Sequence, residues 1–263
     1  FATVGGGAMI LRALGLNSAS LPLQTLCFSF FCGVGLLGWL VFYIGALGYL
    51  NAPVLVGLLC VMSTGLYFID WADLKPLTFQ RPSVLVAILF GLLAIALSFD
   101  VAEALSPAAD ADTLAYHFET PRQFIERGEI FAIPRAYDGA IPLLIHMTYT
   151  VALALGGEGA LNVWTMLPGW GLGLAMYVVI SHFVSHRWAL VGALLILTTP
   201  AIVYAAGTGQ IEPRTAVFAL LTIFAATHID SGNAPFRWAI LTGLFAGFFA
   251  GAKITGLIFV FSV

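Results

Sequence analysis

A chain of 263 residues that is 60% hydrophobic and 9% charged cannot clothe a soluble surface, since soluble domains carry about a quarter charged residues. Its formal net charge of −3, with no basic patch, excludes a surface built to hold a phosphate backbone and therefore a nucleic-acid partner. What remains is an all-α, polytopic bundle of transmembrane helices, in which 28 glycines allow close helix approach.

Crossing roughly 30 Å of hydrocarbon takes about 20 apolar residues as a helix. Residues 1–14 read as the tail of an earlier span, and the candidate spans that follow are 24–50, 53–69, 83–99, 161–183, 188–206, 215–229 and 238–263. The run 215–229 is short and needs its flanks. Segment 141–155 is apolar but of a length that suits an interfacial or re-entrant helix. The chain thus divides into N-terminal transmembrane helices (1–99), a long outer loop with interfacial helices (100–142) and further transmembrane helices (143–263). It does not begin with Met and ends in an apolar run, so it reads as a piece of a longer protein. Cys27, Cys32 and Cys60 lie in apolar runs and read as small hydrophobes, without zinc or disulfide spacing.

Basic residues favour the cytoplasmic side. Arg12, Lys75 and Arg81 place the first turns there and leave 100–142 outside, although that segment holds Arg122, Arg127 and Arg135 beside eight acidic residues. Keeping 141–155 at the outer interface puts His182, His186, Arg187 and Arg237 in the cytoplasm. The turn 207–214 then falls outside, on the face of the long loop.

Within that loop, 113–127 reads as an amphipathic helix interrupted at Pro121. Leu114, Phe118, Phe124 and Ile125 form its apolar side, and Glu119, Arg122, Glu126 and Arg127 its wet side. Such a helix lies in the headgroup plane and places Asp110, Asp112, Tyr116 and His117 at the bilayer surface. A carboxylate at a partly dry interface suits a general base, because desolvation raises its pKa and a cation lowers it. The alternative for both aspartates is helix capping. Asp110-Ala111-Asp112 also has the DxD form that holds a metal in soluble sugar-nucleotide transferases, so a divalent metal stays open although no cofactor is called for.

Glu212 precedes Pro213 at the start of an apolar run, where the helix dipole stabilises a carboxylate and where it could also hold a hydroxyl or ammonium. Lys253 lies deep in the last apolar run, and intramembrane charges mark function unless they snorkel to the interface. Gly243, Gly247 and Gly251 form a stripe on the same helix that reads as helix packing. His182 and His186 stand four apart without a HExxH glutamate, and His146 receives no role.

The order of these pieces resembles the integral-membrane glycosyltransferases of the GT-C class. The resemblance is to the bacterial members akin to dolichyl-phosphate-mannose protein mannosyltransferases and lipid A aminoarabinose transferases. DADTLAYHFETPRQFIERGEI followed by AIPLLIHMTYTVALALGGEGALNVW looks like their first outer loop and its return to the membrane. TTPAIVYAAGTGQIEPRTAVFALLTIFAA resembles a later span, its turn and the acid opening the next span. LTGLFAGFFAGAKITGLIF resembles the glycine-rich helix with a Lys near its outer end.

The resemblance covers 100–263 and implies a polyprenyl-phosphate sugar donor at the periplasmic face of a bacterial inner membrane. In that role Asp112, or failing it Asp110, would deprotonate the acceptor. Glu212 would position the acceptor or a cation, Lys253 would hold the donor phosphate, and His117, Tyr116 and Arg122 would contact the substrates. Thr113 stands where some relatives carry a second acid, and relatives continue through more spans. The partners implied are the lipid-linked donor, membrane lipids and other membrane subunits. The competing expectation is a non-catalytic membrane subunit of a larger complex, derived from such a transferase. A transporter would place charges in several spans or repeat itself in inverted topology, and neither pattern is present.

Overall fold

The fold is that of a computed structural model, which describes residues 1–16, 22–69, 83–134, 141–231 and 234–262. Lys75, Arg81 and Arg135, used above for orientation, lie outside the described residues.

The described residues form an all-α bundle without a strand. In chain order the helices are α1 (Ala2–Ala13), α2 (Pro22–Ala46), α3 (Ala52–Ser63), α4 (Val84–Ala104), α5 (Glu119–Arg127), α6 (Leu144–Phe183), α7 (His186–Leu197), α8 (Pro200–Ala206), α9 (Glu212–Thr227), α10 (Pro235–Ala252) and α11 (Thr255–Val260). Four of them, α2, α4, α6 and α10, are long and apolar enough to cross a membrane. The chain is therefore an integral membrane protein by length and composition.

Several expected spans are broken, each for a local reason. The run 188–206 is split into α7 and α8, bent by 72°. Pro200 forces the break, because the residue before a proline avoids the helical region, and Thr199 sits at φ −63°, ψ 126°. The run 238–263 parts at Lys253, which is extended at φ −151°, ψ 142° between α10 and α11. The run 53–69 becomes the 12-residue α3, begun by Asn51 accepting from the Val54 N–H at 3.1 Å, and a 3-10 turn at Thr64–Phe68.

Segment 141–155 is a short helical arm, ended where Gly157 adopts φ 67°, ψ −165°, a conformation open essentially to glycine alone. The Trp164 indole returns to the Thr148 hydroxyl at 3.0 Å, so the chain doubles back beside itself at this glycine. The arm does not lie on a surface: Leu144 to Val151 are all buried. The amphipathic segment 113–127 is interrupted near Phe118, where a π turn (Thr113–His117) meets α5, and not at Pro121. Pro121 occupies the first turn of α5, where no N–H is needed.

Close packing joins α1 to α2, where a Cβ on Gly7 would overlap the Ser29 backbone and one on Gly33 the Thr3 backbone. Phe28, Phe31, Phe218, Phe224, Phe245 and Phe248 knit α2, α9 and α10 into the main core. A second cluster, with Leu37, Val41, Met62, Phe124 and Met147, holds α5 over α2 and α6. The glycine stripe of α10 does not act as one packing seam. Gly251 meets Trp39 and Leu144, whereas Gly243 and Gly247 face open space.

The bundle has two chemically distinct ends. At one, Arg237 donates to the Gly15 carbonyl at 3.2 Å, and Trp238 stacks on His228 with ring centroids 4.3 Å apart. At the other end of α10, 18 residues or roughly 27 Å away, Lys253 meets Glu212. The long loop joins this second end.

Candidate functional site

Asp110 ties the loop to the turn between α8 and α9. Its carboxylate accepts the Thr113 N–H at 2.8 Å and the Thr113 hydroxyl at 2.7 Å, which is the capping role weighed from the sequence. It also accepts the Gln210 amide at 2.9 Å and the Tyr204 hydroxyl. The Thr113 hydroxyl in turn accepts the Gly209 N–H at 3.1 Å, and the Tyr149 hydroxyl donates to the Gly209 carbonyl at 3.1 Å. Burial alone would push the Asp110 carboxyl up. The donated bonds from Tyr204, Thr113 and Gln210 outweigh it and hold the group below the ordinary aspartate value.

Asp112, two residues on, is exposed and makes no hydrogen bond or ion pair among the described residues. The two aspartates therefore divide: Asp110 is consumed by the fold, and Asp112 is left open to a ligand.

His117, buried in the π turn, meets the buried His146 of α6, Nδ1 to Nε2 at 2.9 Å, so the pair shares one proton between two neutral rings. Tyr116 packs on His117 with ring centroids 4.1 Å apart. Burial, then the positive charge of Arg214, lowers the His117 pKa from 6.5 to about 4, with Lys253 acting in the same direction. Among the described residues, the outer nitrogens, His117 Nε2 and His146 Nδ1, have no well-formed hydrogen bond.

Glu212 and Lys253 come together, Nζ to Oε1 at 2.5 Å, both partly exposed. Glu212 opens α9 and Lys253 closes α10, so each charge also sits at the favourable end of its helix dipole. Arg122 stands apart from this group. It pairs with Glu158 of α6 and lies 3.9 Å from Glu119. The Asp110–Gln210 bond joins the loop that carries Asp112, Tyr116 and His117 to the turn before Glu212 and its partner Lys253, so these residues share one end of the bundle, and Arg122 marks its flank.

The residue that organises this end went unassigned in the sequence. Arg214 is 1% exposed, and its guanidinium donates to the carbonyls of Ala205 (2.7 Å), Ala206 (2.8 Å), Thr208 (2.9 Å), Gln210 and Thr165. No carboxylate pairs with it among the described residues. It satisfies the frayed end of α8 and shapes the turn that presents Gly209 and Gln210 to the loop. The signal for it was an arginine in the first turn of an apolar helix.

Between the foot of α4, the loop, α6 and the 207–209 turn lies a cavity of about 480 Å3. Glu103, Asp110, Asn162 and Tyr204 are its main polar walls. Among the described residues, no three His, Cys, Asp or Glu side chains converge as a metal site. Asp110, with four donated bonds, has little lone-pair capacity left for an ion.

No family model matches the chain, and no curated protein or solved structure does either.

Proposed function

We propose that the chain is a membrane glycosyltransferase of the GT-C type, or the N-terminal part of one. It would move a sugar from a polyprenyl-phosphate donor to an acceptor at the outer face of a bacterial inner membrane. The observation that carries this reading is the division of labour at one end of the bundle. A free carboxylate, Asp112, and a weakly held cation, Lys253, are drawn to the same end by the Asp110–Gln210 tether.

The chemistry follows from those two groups. Asp112 takes the proton of the acceptor hydroxyl or amine as its oxygen or nitrogen attacks the anomeric carbon. The bond from that carbon to the phosphate oxygen breaks, and the lipid phosphate leaves with the electron pair. Lys253 stabilises the charge that develops on that phosphate. An exposed ion pair contributes roughly 0.2–1 kcal/mol, so a phosphate can replace Glu212 on Lys253 at small cost. Glu212, released, would be free to hold the acceptor or a cation as the sugar moves across. Tyr116 and His117 would contact the substrates from the loop, with His117 within electrostatic reach of Lys253.

The test is release of free polyprenyl phosphate from polyprenyl-phosphate sugars by the native-length protein. Release that disappears in Asp112→Asn upholds the reading. No release from any donor, together with co-purification in a defined assembly, favours the non-catalytic subunit.

A further inference from the structure

The cavity of about 480 Å3 is large enough for a sugar-sized molecule and far larger than an ion needs. Its walls are chemically one-sided. Glu103 and Asp110 supply acid, and Asn162, Tyr204 and Thr208 supply neutral polar atoms. Among the described residues no Lys, Arg or His lines it, and the nearby Arg214 guanidinium is spent on backbone carbonyls behind the wall. Pro107, Ala108 and Phe118 give an apolar floor, against which the C–H face of a sugar ring can pack.

A smaller chamber of about 130 Å3 adjoins it and shares Pro107, Ala108, Phe118 and Asn162. Its one cation, Arg122, is already engaged by Glu158 and Glu119. Among the described residues, neither chamber therefore offers a free positive charge to an anion. Asp110 is largely occupied by its four donors, three of them on Oδ2, which leaves Glu103, held on one side by the Gly207 backbone, as the acid with more room for a ligand. A single available carboxylate in a roomy, partly apolar chamber does not make a divalent-cation site. It matches one ammonium on an organic body.

We infer that this cavity binds a cationic, amine-bearing polyol of sugar size, with its ammonium on Glu103 and its hydroxyls on Asn162, Tyr204 and Thr208. The inference deepens the transferase reading, and it rests on that reading only for the ligand's role as acceptor. The lipid phosphate of the donor is excluded from this chamber by charge and belongs at Lys253, so the two substrates enter by separate doors.

Binding is measured by equilibrium dialysis on the full chain in detergent at pH 7 and low ionic strength, with glucosamine, glucose and glucuronate as probes. Glucosamine is expected to bind at least tenfold more tightly than glucose, and glucuronate not measurably. Glu103→Gln brings glucosamine down to the level of glucose. Ala108→Phe, which fills the space shared by both chambers, removes binding of both sugars. Should Glu103→Gln fail to fold, Ala108→Phe and the loss of glucosamine preference at high salt carry the same test. Glucuronate bound as tightly as glucosamine, binding that survives both substitutions, or no glucosamine binding to the wild type would each overturn the inference. Glucosamine binding in this ranking, in a protein that turns over no lipid donor, upholds the cavity and counts against the transferase reading alone.

Discussion

Replacing Arg214 by Met keeps the apolar stem and removes the guanidinium from a site that water does not reach. Five carbonyl groups, those of Thr165, Ala205, Ala206, Thr208 and Gln210, then lose the guanidinium together, although Ala205 keeps the Thr208 hydroxyl at 3.3 Å. Each bond to a charged donor is worth about 1.5–3 kcal/mol, but the cost of burying the charge is recovered when it is removed. Breaking a buried charged network of this kind costs roughly 3–5 kcal/mol net. For a chain of this size that lowers the thermal midpoint on the order of 10 °C. Arg214→Lys keeps the charge but presents three donors on a point instead of a fork, and it restores less than half of the loss. The assay is thermal unfolding in detergent, with protease cleavage in the 207–211 turn as a local probe. An Arg214→Met protein as stable as wild type, or an Arg214→Lys protein with full stability, would refute the reasoning.

The two aspartates separate in the same way. Asp110→Asn loosens the loop by about 1–3 kcal/mol, seen as faster amide exchange at Thr113 and Gly209. Asp112→Asn leaves stability unchanged within about 0.5 kcal/mol. His117 makes stability depend on pH. Its folded pKa of about 4 lies below its ordinary 6.5, so between those values the unfolded chain binds the proton and the folded chain does not. Stability is full above pH 6.5 and falls as the pH drops towards 4, with about 2 kcal/mol lost by pH 5. Denaturant unfolding at pH 7 and pH 5 measures this loss, and His117→Phe should abolish the histidine's share of it. Glu212→Gln frees Lys253 and tightens binding of polyprenyl phosphate up to about fivefold. Lys253→Gln weakens that binding, and equal affinities in both variants would remove Lys253 from the phosphate site.

The helical class was legible because apolar runs such as 24–50 and 161–183 are too long and too uniformly apolar for the short, alternating strands of a membrane barrel. The convergence of Asp110, Asp112, Glu212 and Lys253 at one end followed from counting turns and placing basic residues. The breaks were harder to see. Pro200 announces the bend after Thr199, but Lys253 interrupts a run that hydropathy alone makes continuous. Gly157 was one glycine among 28 until its backbone angles singled it out. The roles of Arg214 and of the His117–His146 pair depend on contacts between residues as far apart as 29 and 49 positions, which no local pattern carries.

The most direct measurement follows free polyprenyl phosphate released by the native-length protein in nanodiscs, comparing wild type with Asp112→Asn and Asp110→Asn. The expected result is release by wild type, none by Asp112→Asn at unchanged stability, and residual release by Asp110→Asn in proportion to its folded fraction. Release by Asp112→Asn at the wild-type rate would contradict the assignment of the free carboxylate as the base, and with it the central claim.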